Sequence, residues 1–331
     1  MSVKIITEIA SSHNGDPKIV DYLTRKHISS KSHYLKYQIF KSSNLINRKD
    51  KNFKKFKTIE INYDIWKSLI NKYKKKTNLI LEAFDQESYY FCRKFKEDVD
   101  LKISTSEIDN FEIIEDALKN FKGKIFLNVS GYDFSFIKKI INNYFNNKTK
   151  KKLIILYGYQ GFPSKPKDLR LRLFDYFKNQ KITYGYSDHS HFGFSEDFLS
   201  LMPYVLEKKI SYFEKHICKK ISKSTPDYIS SLNTRDFIKF VKIISKYNEL
   251  KISTNLKNSN AEKKYSKIMH KFAFAKRNIE SNETLNKNDI IFLRTSMQKG
   301  LRREQLDFRK KISSTKLIRN GTLLKKTNCI L

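Results

Sequence analysis

The chain has little of what would place it outside the cell or in a membrane. Its three cysteines, Cys92, Cys218 and Cys329, have no paired spacing, which argues against a disulfide framework and fits a reducing, cytoplasmic setting. No run of about 18 apolar residues occurs, so no spanning helix is expected. The opening, Met1-Ser-Val-Lys-Ile-Ile-Thr-Glu-Ile-Ala, has too short an apolar stretch for a secretory signal and reads as a first strand. Acidic residues are scarce, 34 against 67 Lys and Arg, which leaves a formal charge of +33. Such an excess raises nucleic acid as a partner, because a basic surface releases counterions from phosphate backbones. The lysines, however, are spread along the whole chain among many Asn and Ile. The runs Lys74-Lys-Lys and Lys148-Thr-Lys-Lys-Lys fall where helices should end, and there they complement the helix dipole. No nucleic-acid or membrane partner is therefore expected, and the charge serves to steer small anionic substrates.

With 331 residues and 39% hydrophobic content, the chain can build one domain of roughly 200 to 250 residues plus a small one. Short β-branched or aromatic runs alternate with amphipathic segments from residue 4 to about 247. The strand candidates are Lys4–Ile9, Tyr34–Ile39, Leu79–Ala83, Leu101–Ile103, Lys124–Val129, Leu153–Tyr157, Ile182–Tyr186 and Tyr212–His216. Helix candidates include Asn110–Asn120 and Asn233–Tyr247, each with apolar residues on one face. Eight strand and helix units in this length predict a closed (β/α)8 barrel of the TIM type, with its chemistry at the carboxyl ends of the strands. The boundaries read as a barrel over 1–250, a polar linker over 251–265 and a small β-rich domain over 266–331. Within the last, aligning Ile279 with Ile318 superposes Asn282 on Gly321, Leu285 on Leu324 and Lys287 on Lys326, a quasi-repeat.

Two histidines carry the most chemical information. His189 ends the run Ile182-Thr-Tyr-Gly-Tyr-Ser-Asp-His, and His216 ends Ile210-Ser-Tyr-Phe-Glu-Lys-His. If their strands are neighbours, two imidazoles meet at one mouth, a half-occupied metal site with positions left for substrate and water. The alternative is one strand-capping and one core histidine. Lys36 and Gln38 are two apart and so on one side of a strand, where an inward lysine needs an anionic partner. Glu8 ends the first strand, and Lys102-Ile-Ser-Thr-Ser-Glu107 adds a lysine, hydroxyls and a carboxylate. Together these point to an anionic substrate, a metal and a proton-transfer group. Singly, Lys36 and Lys102 also read as strand-flanking surface lysines, and Glu107 as a cap for the helix near Asn110.

These motifs, taken in order, resemble the sialic acid synthase family. Glu8-Ile-Ala-Ser-Ser-His-Asn-Gly-Asp is similar to its opening E-I-G-x-N-H-x-G, and Lys36-Tyr-Gln38 to K-F-Q. Ala83-Phe-Asp85 stands for P-F-D, Lys102-Ile-x-Thr-x-Glu107 for K-I-x-S-G-E and Tyr186-Ser-Asp-His189 for Y-S-D-H. Glu214-Lys-His216 stands for E-K-H, and Pro226-Asp227 with Ser231-Leu232 for P-D-H-K-A-S-L. The tail resembles the antifreeze-like (SAF, β-clip) domain of those synthases. The resemblance implies condensation of phosphoenolpyruvate with an N-acetylhexosamine, typically N-acetylmannosamine, giving a nonulosonic acid and phosphate. It implies a divalent ion held by His189 and His216, manganese first, with magnesium or cobalt as alternatives. Lys36 and Lys102 would hold the phosphoenolpyruvate anion, with Thr105 and Ser187 nearby. Gln38, Asp227 and Glu107 would face the sugar, Glu107 handling protons, while Glu8 supports the site. Arg294 matches an arginine lent to the partner's site, which implies a domain-swapped homodimer.

The chain departs from the family pattern where phosphate is bound. Glu82 stands for a threonine, Asn128-Val-Ser130 for S-T-G, Tyr157 for a histidine and Gln160-Gly-Phe-Pro163 for N-x-Y-P. A carboxylate at 82 repels phosphate unless Lys36 or Lys102 screens it. Two expectations follow: a branch acting on another sugar, such as a legionaminic or pseudaminic acid precursor, or a relative that keeps barrel and metal with changed or lost phosphoenolpyruvate chemistry.

Overall fold

A computed structural model describes residues 2–252, 257–296 and 299–331. The chain divides into two compact units, Met1–Ile252 and Ser253–Leu331. In the first, eight strands run parallel in chain order: β1 (Lys4–Glu8), β2 (Tyr34–Ile39), β3 (Asn78–Ala83), β4 (Asp100–Ile103), β5 (Ile125–Asn128), β6 (Leu153–Tyr157), β7 (Thr183–Asp188) and β8 (Tyr212–Cys218). Pairing of β8 back onto β1 closes them into the expected TIM barrel. A short ninth strand, β9 (Ser231–Asn233), adds to the far end of β8.

Helices cover the outside because the intervening segments carry apolar residues at helical spacing and start with capping side chains. Asp16 accepts from the Lys18 N–H ahead of the helix Pro17–Ser30, and Asp85 forms a capping box with Ser88 ahead of Gln86–Arg93. Each strand turns alternate residues outward into this shell, where Leu35, Tyr37, Leu79, Leu81, Leu101 and Ile103 belong to one large apolar core.

The inward residues form levels. At the bottom, Ile6, Tyr34, Ile80, Phe126, Ile154, Leu156 and Tyr212 make a separate apolar cluster. Its aromatic members meet edge to face, Phe126 and Tyr212 with centroids 5.1 Å apart and Tyr34 and Tyr212 5.7 Å apart, which plugs the barrel floor. Two residues further along the strands the interior turns polar, with Glu8, Lys36, Glu82, Lys102, Asn128 and Glu214 all buried. Register sets this level: Glu8 pairs with Lys36 on one side and His216 on the other, and Glu82 pairs with Lys102. At the end of β6, a Cβ on Gly158 would lie 1.8 Å from the Ser187 carbonyl oxygen, so only glycine lets the chain pass that close to β7.

The second unit contains the helix Asn260–Met269, the antiparallel pair β10 (Lys271–Ala275) and β11 (Ile290–Arg294), and the short pair β12 (Ser313–Ser314) and β13 (Cys329–Ile330). The quasi-repeat is structural. Ile279 bridges Ile318, and both Asn282 (φ 66°) and Gly321 (φ 75°) turn in the left-handed region. Leu285 N donates to Ile312 O while Leu324 N donates to Ala273 O, an exchange related by the same 39-residue offset. The segment 251–265 differs from the linker expected there. The helix Thr234–Ile252 runs into it, residues 253–256 lie outside the described part, and a helix begins at Asn260, held by a capping box between Ser259 and Glu262. That second helix carries Ala261, Tyr265 and Ile268 at helical spacing, but Tyr265 and Ile268 are exposed and the segment around it is rich in Asn and Lys, a composition that reads as a linker.

Candidate active site

At the carboxyl ends of the strands the barrel opens into a cavity of about 570 Å³ whose lining includes Glu8, Lys36, Gln38, Glu82, Lys102, Thr105, His189, Glu214 and His216. Its floor is an ion-pair network. The Lys36 ammonium contacts Glu8, Glu82 (2.5 Å) and Glu214 (3.3 Å). The Lys102 ammonium lies 2.8 Å from Glu214 and 3.3 Å from Glu82. Glu8 also accepts the Ala10 N–H at 2.7 Å. Burial explains why each ammonium is surrounded by carboxylates, since an unpaired charge at these positions would cost several kcal/mol, roughly. Burial pushes Lys36 down to about 8, against Glu214 and Glu82, so it remains charged at neutral pH. Burial acts on Lys102 in the same sense, but Glu214 and Glu82 outweigh it and hold Lys102 above its ordinary value. Glu214, although burial would raise it, is held well below the carboxylate range by Lys102 and Lys36. Three carboxylates face two ammoniums, which leaves one negative charge in excess.

The two histidines stand above this network with ring centroids 5.1 Å apart. Burial holds His189 down, to about 4, and His216 well below the usual imidazole value, so both rings are neutral and offer lone pairs. The Nδ1 atoms of both are buried without a hydrogen-bond partner, as are the hydroxyls of Thr105 and Ser187. Orphaned imidazole nitrogens on neighbouring strand ends fit a borderline-soft divalent cation. Among the described residues, no group of three or more His, Cys, Asp or Glu forms a cation site. Phe162 packs edge-on against both rings, at 5.0 Å and 6.4 Å.

Residues with no assigned role in the sequence hold the histidines in place. Asp188 and Lys215 pair in register across β7 and β8 and form a fully buried ion pair. Asp188 also accepts from the Tyr186 hydroxyl at 3.0 Å and the Ser190 hydroxyl at 2.5 Å. The dipeptides Asp188-His189 and Lys215-His216 are thus paired outward by charge and inward by imidazole. The alternation within Glu214-Lys-His216 was the available signal, because two of its three residues share one face.

Not every expected residue reaches the cavity. Glu107 sits on a 3₁₀ turn with Thr105 and lines a neighbouring depression with Asn44, Asp85 and Asn110. Its carboxyl is raised by burial and accepts from Asn110 at 3.4 Å. Asp227 lines a second adjacent cavity with Asn14, Lys55 and Phe162, and accepts the Ser11 N–H at 2.9 Å. Ser187 is in register with Glu214 but is absent from the cavity lining. Arg294 is exposed at the end of β11 in the second unit. Glu82 points into the network, screened by both lysines. Tyr157 belongs to the outer core and accepts the Arg170 N–H at 2.8 Å. Asn128 accepts from the Ser130 backbone and hydroxyl, which fixes the turn after β5.

Residues 18–255, which span almost all of this barrel, match the NeuB family. The chain belongs to the NeuB family. It is 25% identical over 303 residues to the N,N'-diacetyllegionaminic acid synthase of Campylobacter jejuni, with 86% of this chain and 88% of that one aligned. It is 22% identical over 317 residues to the Legionella pneumophila protein of the same name, covering 89% and 86%. The N-acetylneuraminic acid synthetase of Leptospira borgpetersenii shares the fold, with a TM-score of 0.67 and 20% identity over 81% of this chain and 93% of that chain.

Proposed function

We propose that this chain condenses phosphoenolpyruvate with an N-acetylmannosamine-type sugar to give a nonulosonic acid and inorganic phosphate. The observation that carries the reading is the pair of neutral imidazoles with unpartnered nitrogens directly above two buried lysines, in one cavity of a NeuB-family barrel. Anion, cation and open-chain aldehyde then have separate places at one mouth.

In this reading His189 and His216 hold a divalent ion, manganese first, which when bound supplies Lewis-acid polarisation of the aldehyde. Lys36 and Lys102 orient the donor anion, and the unpaired hydroxyl of Thr105, on the cavity wall, is free to donate to it. The methylene carbon of the enol forms the new bond to the aldehyde carbon. Water adds to the cationic carbon left behind, and the bond between that carbon and the phosphate oxygen breaks. In this reading Gln38, on the cavity wall, faces the sugar, and Asp227, which lines the adjacent cavity with Phe162, meets it only if the sugar extends there. Glu107, in the depression beside the cavity and on the same 3₁₀ turn as Thr105, is the candidate proton carrier, and burial raises its carboxyl in the direction that favours the acid form. The second unit is read as an antifreeze-like domain in a domain-swapped homodimer, which brings Arg294 of the partner subunit to the site. The setting is cytoplasmic. Among the described residues no helix is long and apolar enough to cross a membrane.

Phosphate release from phosphoenolpyruvate, measured with manganese against a panel of N-acetylhexosamines and a legionaminic acid precursor, tests the proposal. Chelator-sensitive release with one sugar supports it and names the substrate. No release with any sugar, in protein that binds manganese, overturns it.

A further inference from the structure

Lys36 and Lys102 stand on β2 and β4, with β3 between them. Glu82 is the β3 residue at their level, in register with Gln38 on one side and Lys102 on the other. Its two oxygens are divided between the ammoniums, Oε2 at 2.5 Å from Lys36 Nζ and Oε1 at 3.3 Å from Lys102 Nζ. All three side chains are at most 4% exposed. This is the bridging geometry with which the carboxylate or phosphoryl group of a substrate engages two cations. Glu8 on Lys36, and Glu214 on both lysines, complete the neutralisation, so neither ammonium has charge to spare for an incoming anion.

We infer that Glu82 is a built-in occupant of the anion position, and that an anionic substrate binds between Lys36 and Lys102 only by exchanging with its carboxylate. The side chain at 82 therefore sets the affinity for the anionic substrate and leaves that for the neutral sugar untouched. Glu82 touches no reacting atom in this scheme; it is a specificity-determining residue. The inference takes the identity of the anion from the proposed function, while the bridging geometry stands without it. Like charge brought into a buried site is unfavourable unless the resident group turns away. The parent chain is accordingly expected to bind phosphoenolpyruvate weakly for a site with two lysines.

The test uses the full chain with manganese and no sugar, so that no turnover is required. Phosphoenolpyruvate binding is measured by titration calorimetry for the parent, Glu82→Gln and Glu8→Gln. Glu82→Gln keeps the shape, and Glu8 and Glu214 still neutralise both lysines. Glu8→Gln removes the same charge from a carboxylate that bridges no two lysines. The expected result is binding about tenfold tighter in Glu82→Gln, with a much smaller gain in Glu8→Gln. Equal gains in both variants reduce the effect to net charge and overturn the inference. It is also overturned if Glu82→Gln binds neither phosphoenolpyruvate nor inorganic phosphate more tightly than the parent. Should that chain not fold, Glu82→Asp withdraws the carboxylate by one methylene, and unchanged binding in it has the same meaning. Tighter binding without turnover on any sugar would reject the synthase reading and leave the role of Glu82 standing.

Discussion

Replacing Lys215 by Met would test whether a buried ion pair anchors the two histidine-bearing strand ends. Lys215 and Asp188 are fully buried, and the lysine also lies 4.6 Å from the Phe198 ring. Methionine retains the apolar stem, so the loss is confined to the charge. Removing one partner of a buried pair costs about 3–5 kcal/mol, because the other charge is left uncompensated. Here Asp188 keeps the Tyr186 hydroxyl, the Ser190 hydroxyl and, at 3.3 Å, the Ser190 N–H. Those donors place the expected cost at the lower end, about 3 kcal/mol. For a unit of this size that lowers the unfolding midpoint by roughly 6–12 °C. The double variant Asp188→Asn with Lys215→Met leaves no unpaired charge, and should recover about 1–2 kcal/mol of the loss. Urea titration followed by circular dichroism gives both values. A single variant within about 1 kcal/mol of the parent, or a double variant no better than the single, would refute the assignment.

Substituting His189 or His216 by Ala should abolish manganese binding in titration calorimetry and leave the unfolding midpoint nearly unchanged, since neither Nδ1 bonds to the protein; retained binding in either variant removes the cation assignment. His27 is buried between the hydroxyls of Thr7 and Thr77, each at 2.7 Å, and burial holds it down to about 3. The unfolded chain therefore takes up a proton near pH 6.5 that the folded chain refuses, and stability falls as pH drops from 6.5 towards 3. The slope approaches 1.4 kcal/mol per pH unit, roughly. His27→Gln should flatten that part of the stability profile, and an unchanged acid slope counts against the assignment. Phe126→Ala, which unplugs the barrel floor, should cost about 3–5 kcal/mol in the same urea assay; a loss under about 1 kcal/mol would mean the floor collapses to fill the gap.

Much of this protein can be read from local pattern. The eight strands appear as short β-branched runs, and the structure has them at nearly the bounds expected, because a parallel strand covered on both faces must be apolar almost throughout. Lys36, Lys102, His189 and His216 stood out because polar residues ending such runs have few reasons to be there. The helix Asn260–Met269 was missed because its short stripe of Ala261, Tyr265 and Ile268 and its Ser259–Glu262 cap are set among Asn and Lys, a polar composition that reads as a linker. The resemblance implied that Glu107 and Asp227 face the sugar, yet loop conformation turns them towards cavities adjacent to the one that holds the lysines. Loop direction depends on contacts far along the chain, such as that between Asp227 and Ser11, and no local pattern encodes it.

The order of apolar and polar residues alone was enough to settle the barrel, the polar ends of its strands and the internal repeat of the tail, because alternation and turn residues act over a few positions. Which charges meet was decided by barrel closure. The register of β1 against β8 sets Glu8 beside His216, and that of β3 against β4 sets Glu82 beside Lys102. In the sequence Glu82 read as an obstacle to phosphate unless Lys36 or Lys102 screened it, and nothing local said whether either did. In the barrel it lies between two lysines 46 and 20 positions away in the chain. Coulomb interaction depends on distance in space and on burial, and only the closed structure supplies both.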